Sequence, residues 1–191
     1  MLLSEDMIKK MLPRAYLRRH VAHEIFLAIA YFKDLVPTME EYIYNDGTSK
    51  NLMSLKGTIP VMITGKTYNI PISLWIEDNY PQTAPICYVR PTREMMVLRG
   101  KFVSSNGEIL LPYLEDWSNE SELLSLLQIM AATFGENPPL VMRPRHELEQ
   151  GSCALQFQRQ GDVLTTMDES SYLSINREDG QPFQQQNETN C

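Results

Sequence analysis

Few residues in this chain have the type and spacing to do chemistry. Cys87, Cys153 and Cys191 are an odd number of thiols with no metal-ligand spacing, the pattern of reduced cysteines in a cytosolic protein. Cys87 lies in the apolar run Ile86-Cys87-Tyr88-Val89, which suits a small buried side chain better than a nucleophile. His20 and His23 are three apart, but with no third ligand in sight they read as surface residues, and His146 has no acid–base partner nearby. The stretch that looks built to present a side chain is Asn106-Gly107-Glu108-Ile109-Leu110-Leu111-Pro112-Tyr113-Leu114. Asn-Gly supplies a tight turn, yet Ile109, Leu110 and Leu111 are side chains for packing, not for proton or acyl transfer. A presentation site without a nucleophile points away from catalysis, and no metal or cofactor is expected.

A chain of 191 residues with 43% hydrophobic content fits one globular domain of about 100 to 150 residues. Its charge of −7 is uneven: residues 145–191 hold three Arg against eight Asp or Glu, leaving about −2 for residues 1–144. No concentrated basic field exists to neutralise phosphates, so nucleic acid is not an expected partner. Glu5 and Asp6 mixed with Lys9 and Lys10 exclude a signal peptide or direct membrane insertion there.

The elements that would hold these residues follow from periodicity. Ser4 is placed to cap a helix bearing Met7, Ile8, Met11 and Leu12, ended by Pro13. A second helix over residues 18–35 carries the stripe Val21, Ile25, Ile29 and Phe32. Between Met39 and Val89 the period becomes alternating, predicting an antiparallel meander of strands at 40–45, 52–63, 67–76 and 86–89, turned at Asp46-Gly47-Thr48-Ser49 and Thr64-Gly65-Lys66. Pro60 and Pro71 remove ladder donors and belong at edges or bulges. After Pro91 the chain is expected to be irregular until Trp117. A capping box at Asn119-Glu120-Ser121-Glu122 then opens a third helix with Leu123, Leu126, Leu127, Met130 and Phe134 on its apolar face, and Pro138-Pro139 stops anything further. Residues 146–191, rich in Gln, Ser, Asn and acidic residues, read as a disordered tail behind a domain of residues 1–145.

This order of elements, with Tyr80-Pro81-x-x-x-Pro85 and the Asn-Gly turn, resembles the ubiquitin-conjugating fold, an α+β architecture of N-terminal helices, four-stranded antiparallel meander and C-terminal helix. Catalytic members carry His-Pro-Asn upstream of the turn and a cysteine three residues after its glycine. Gly100-Lys101-Phe102 and Leu110 occupy those positions here, so the resemblance implies a chain that is not an enzyme. Gly57–Val61 (GTIPV), Thr67–Ile72 (TYNIPI), Leu74–Pro81 (LWIEDNYP), Pro85–Cys87 (PIC), Ile109–Leu114 (ILLPYL) and Trp117 are similar to the ubiquitin E2 variant domain of the tumour-susceptibility subunit of ESCRT-I. The likeness runs from residue 1 to about 145. The tail carries none of that subunit's Pro-rich linker, coiled-coil heptads or assembly region.

The resemblance implies two partners in endosomal sorting and multivesicular-body transport, for a cytoplasmic, endosome-associated protein. Ubiquitin, or ubiquitinated cargo, would meet Ile43, Asn45 and Asp46 on the first hairpin and Trp75 and Tyr88 on the sheet, with Ile43 standing where the family usually has Val and Tyr88 where it has Phe. From the residues alone, Trp75 and Tyr88 read as core. A Pro-Thr/Ser-Ala-Pro peptide would meet Thr58, Ile63, Tyr68, Asn69, Thr92, Met95, Leu140, Val141 and Met142. Ile63 replaces a tyrosine, and Leu140-Val141-Met142-Arg143 stands for Val-Phe-Ser-Arg, which removes a ring and a hydroxyl and implies weakened peptide binding. Two other readings follow from the same resemblance: a non-catalytic partner of an active conjugating enzyme in chain synthesis, or a competitor that binds without assembling into the complex.

Overall fold

The computed structural model of this protein describes residues 3–144 and, further on, the backbone of two short segments. The Ser4 hydroxyl accepts from the Met7 N–H at 3.2 Å and starts α1 (Glu5–Met11), whose acidic first turn and basic last turn match the helix dipole. α2 (Arg18–Tyr31) buries Val21, Ile25 and Ile29, and Phe32 is its buried C-cap residue, so the helix stops short of the expected Leu35.

The meander forms as four antiparallel strands in the order β1 (Val36–Ile43), β2 (Ser49–Ile63), β3 (Lys66–Ile76) and β4 (Ile86–Val89). Strict alternation divides its faces. Met53, Leu55, Ile59 and Val61 of β2 join Ile70, Ile72, Leu74 and Ile76 of β3 in the core beneath the helices. Ser54, Lys56, Ser73, Trp75 and Tyr88 point the other way. Gly47 at φ 91° turns the first hairpin; Thr64 at φ 49° and Gly65 at φ 83° form the two-residue turn of the second, where both positions need positive φ. β1 runs from Val36 to Ile43 rather than over residues 40–45: as an edge strand it tolerates Pro37.

The two mid-strand prolines meet their expectation. The Arg90 N–H donates to the Pro71 carbonyl at 2.8 Å, so the backbone polar side of Pro71 faces the β4 side, just past the last paired residue, where no donor is needed. By alternation, Pro60 turns its missing N–H to the open side of β2, beyond the end of β1 at the Val36–Lys56 pair.

Three expectations are corrected. The segment after Pro91 is not wholly irregular, because β5 (Met95–Val97) pairs antiparallel with β6 (Leu140–Met142), so Pro138-Pro139 does not end the ordered chain. A one-turn helix α3 (Pro112–Glu115) precedes Trp117. The capping box does not form. α4 (Leu123–Glu136) has no cap from its own side chains, and the Leu123 N–H donates instead to Glu24 Oε1 of α2 at 3.0 Å. That buried carboxylate also accepts the Tyr80 hydroxyl at 2.5 Å and lies 2.7 Å from His20 Nε2. Tyr16 acts similarly within the sheet: its hydroxyl accepts from Met53 N and donates to Ile76 O, bridging the Met53–Ile76 rung of β2 and β3.

The expected tail, 146–191, lies outside the described residues apart from the backbone of β7 (Asp168–Ser170) and β8 (Tyr172–Ser174), which pair antiparallel. The domain boundary at 145 falls outside them as well.

Two substitutions test this account. A Cβ at Gly57 would lie 1.9 Å from the Asp34 carbonyl oxygen, a backbone clash no rotamer relieves, so Gly57→Ala should cost about 3 kcal/mol in urea unfolding. Glu24→Ala strands two buried donors and should cost about 3 kcal/mol by the same measurement, with backbone-amide exchange rising first at Leu123 and its neighbours.

Candidate functional site

The first hairpin ends in a tip whose conformation its own side chains set. Asp46 Oδ1 accepts the Thr48 N–H at 2.9 Å and the Thr48 hydroxyl at 2.7 Å, and these bonds hold its carboxyl below the usual range. Ile43, Asn45 and Asp46 are exposed there, Ile43 at 66%. Trp75 and Tyr88 belong to the outer sheet face rather than to the tip itself. Tyr88 is partly buried, and Trp75 is 6% exposed although it belongs to the face opposite the core.

What covers Trp75 was not among the expected site residues. The Tyr42 ring meets it edge-on at 5.1 Å, and Lys56 Nζ stands 5.2 Å from its ring centroid. Lys56 is held by Glu40 at 2.7 Å, and that contact, aided by the Ser54 hydroxyl, keeps the Glu40 carboxyl below its ordinary range. Tyr42 packs on Tyr44 at 4.9 Å, and Tyr44 donates to Glu77 at 2.8 Å. Burial first, then that bond, push the Tyr44 hydroxyl up to about 12. The sequence held a signal for this group: Glu40, Tyr42 and Tyr44 recur at the strand period of two. Ile43 lies between them in the alternation, on the side away from Tyr42.

The expected peptide-contact residues fall at the other end of the domain. Met95 faces Met142 and Met96 faces Val141 across the β5–β6 ribbon, with Leu140 opposite Val97. Tyr68, 45% exposed, sits opposite Val61 near the second hairpin, and Ile63 packs partly against the core. Thr58 and Asn69 belong to the other face of the same two strands, and Thr92 is exposed just ahead of β5, its carbonyl accepting from the Met95 N–H at 3.0 Å. The ribbon thus joins Met95 with residues 140–142, while Tyr68 and Ile63 are brought together by β2–β3 pairing.

The Asn106-Gly107 turn forms as expected. Gly107 takes φ 92°, and a Cβ there would approach the Val89 carbonyl oxygen to 3.1 Å. Val89 N donates to Gly107 O and Ile109 N to Cys87 O, so the segment runs beside β4 as a short antiparallel flank. Leu110, 39% exposed, projects from it with its N–H given to Phe102 O. Cys87 is buried, and desolvation pushes its thiol well above the ordinary range, which keeps it protonated. His20 and His23 pair with Glu24 and Glu5. Among the described residues, no cluster of three or more His, Cys, Asp or Glu could hold a metal ion, and no helix is long and apolar enough to cross a membrane.

Comparison with known proteins follows the same outline. The UEV domain family matches residues 7–142. The Tumor susceptibility gene 101 proteins of Mus musculus and Homo sapiens are 48% and 47% identical over 145 residues, covering 75% of this chain and 37% of theirs. Ubiquitin-conjugating enzyme E2 variant 3 of Danio rerio is 38% identical over 138 residues, 72% of this chain and 29% of its own. The chain therefore spans little more than a third of the length of the curated relatives it matches. The yeast vps23 UEV domain, solved in complex with a vps27 PSDP peptide, has a TM-score of 0.58 at 23% identity, covering 66% of this chain and 87% of that one. The Vps23 UEV solved with ubiquitin has a TM-score of 0.56 at 23% identity, covering 71% and 94%. Those two likenesses concern the fold, whereas the family match takes in most of the chain: this protein belongs to the UEV domain family, with a ubiquitin-conjugating-like α+β fold.

Proposed function

We propose that residues 1–145 form a non-catalytic module that binds ubiquitin, together with a Pro-Thr/Ser-Ala-Pro motif held more weakly, in endosomal sorting of ubiquitinated cargo, and that residues 146–191 are a separate acidic tail. The observation that carries this reading is the exposed hairpin tip of Ile43, Asn45 and Asp46 standing beside an outer sheet face rich in aromatic residues. An apolar side chain flanked by an amide and a carboxylate suits a small, weak interface of about 1,200 Å² or less. The solved yeast relatives, one with ubiquitin and one with a PSDP peptide, support the choice of partners. Work at the cytoplasmic face of endosomes follows from the same kinship.

As a UEV domain the protein is not an enzyme. Our finer reading is that Leu110 stands at the lost nucleophile position. Its apolar side chain offers no lone pair to an acyl carbonyl, and the buried, protonated thiol of Cys87 does not replace it. On the peptide side, Met95 and Met142 give a flexible apolar wall that takes an Ala-Pro pair in extended conformation. Ile63 has no ring to stack on the proline and no hydroxyl to offer it.

Calorimetry of the full chain tests both halves. Ubiquitin should give weak, saturable binding, and a Pro-Thr-Ala-Pro peptide should bind about fivefold more tightly to Ile63→Tyr than to the unmodified chain, about 1 kcal/mol. A flat trace at millimolar ubiquitin would remove the ubiquitin assignment. Equal peptide affinity in the two chains would remove the role given to Ile63.

A further inference from the structure

Strand register puts Tyr42 and Trp75 apart. Tyr42 faces Lys50 on β2, whereas Trp75 on β3 faces Ser54, four positions further along and one strand further over. Their rings nonetheless meet at 5.1 Å, which requires the end of the β1–β2 hairpin to curl back over the outer face. Side-chain ties keep it there. The Tyr44 hydroxyl donates to Glu77 Oε2 at 2.8 Å and Lys50 Nζ donates to Asp78 Oδ2 at 3.1 Å. With Tyr42 and the Glu40-anchored Lys56 packed against it, Trp75 keeps 6% of its surface, while Tyr42 remains partly exposed. A protein approaching this face meets Tyr42 before it meets Trp75.

We propose that Tyr42 is the ring through which the outer face contacts ubiquitin's apolar patch, and that Trp75 is a positioning residue, the floor on which Tyr42 rests. The inference builds on the ubiquitin reading above and reassigns the aromatic contact within it. Tyr42 suits the role: it offers a large apolar face with a polar tip, and the Trp75 and Tyr44 rings packed against it limit its rotamers before binding, so little side-chain entropy remains to be lost. The hairpin ties act in the same direction, setting the tip relative to the sheet in the free protein.

Cross-saturation separates contact from support. With the full chain deuterated except for its Tyr and Trp rings, irradiation of ubiquitin methyl protons should attenuate Tyr42 most strongly and Trp75 distinctly less. Tyr42→Ala should weaken ubiquitin binding about tenfold or more, and Tyr42→Phe, which keeps the ring, about threefold or less. The Trp117 indole N–H, which donates to Pro81 O at 2.9 Å, reports folding and should keep its chemical shift in both variants. Stronger attenuation at Trp75 than at Tyr42, or unchanged affinity in a folded Tyr42→Ala, overturns this proposal and leaves the ubiquitin reading standing. Absence of ubiquitin binding by the unmodified chain overturns both. Should Tyr42→Ala lose the Trp117 signal, the attenuation pattern in the unmodified chain decides.

Discussion

A single buried carboxylate ties together parts of this domain that lie far apart in sequence. Glu24 on α2 accepts from Tyr80 in the loop between β3 and β4 and from the first amide of α4. A helix N-terminus needs acceptors, and α4 has none of its own at its cap. Supplying one from α2 fixes where α4 begins and which way it runs. At its other end α4 approaches β2 so closely that a Cβ at Gly135 would lie 2.7 Å from the Met62 carbonyl oxygen. β6 follows directly, so its pairing with β5, and the meeting of Met95 with Met142, depends on a helix whose origin Glu24 sets.

The meander has two faces built on different physics. Its inner face is continuous aliphatic core, where burial of Leu55, Ile59, Ile72 and Leu74 supplies the stability. Its outer face combines aromatic rings with charged and hydroxyl groups: Tyr42 over Trp75, Lys56 between Glu40 and the indole, and Arg90 Nη1 reaching Ser73 Oγ at 3.5 Å. Such a surface stays solvated and unaggregated on its own, yet offers rings to a partner. The Asn-Gly segment fits this division, because it flanks β4 and leaves the apolar Leu110 partly exposed at the surface.

Much of the scaffold was legible in the sequence. The stripes of α2 and α4, the period-two runs of the meander and the glycines at its turns encode local geometry that neighbouring residues alone decide. The second hairpin was read to within one residue, and every apolar residue assigned to the α4 face is buried. The misreadings share a cause. The first strand was read from residue 40 although it begins at Val36, because Pro37 is tolerated only on an edge strand and which strand is an edge is not a local property. The capping box was a sound local signal overruled by a stronger acceptor 99 positions away. β5 and β6 are three residues each and separated by more than forty, too short to announce themselves except by pairing.

The sequence by itself determined the family, the fold class and the core faces of the elements, because these rest on side-chain type and on periods of two and 3.6 residues. Tertiary structure alone decided how the outer face is presented. No pattern in the chain states that the hairpin end folds back, that Tyr42 and Lys56 close over Trp75, or that the hydroxyl of Tyr44 reaches Glu77. Those contacts join residues on or next to different strands through the coiling of the sheet, a cooperative property of the packed whole.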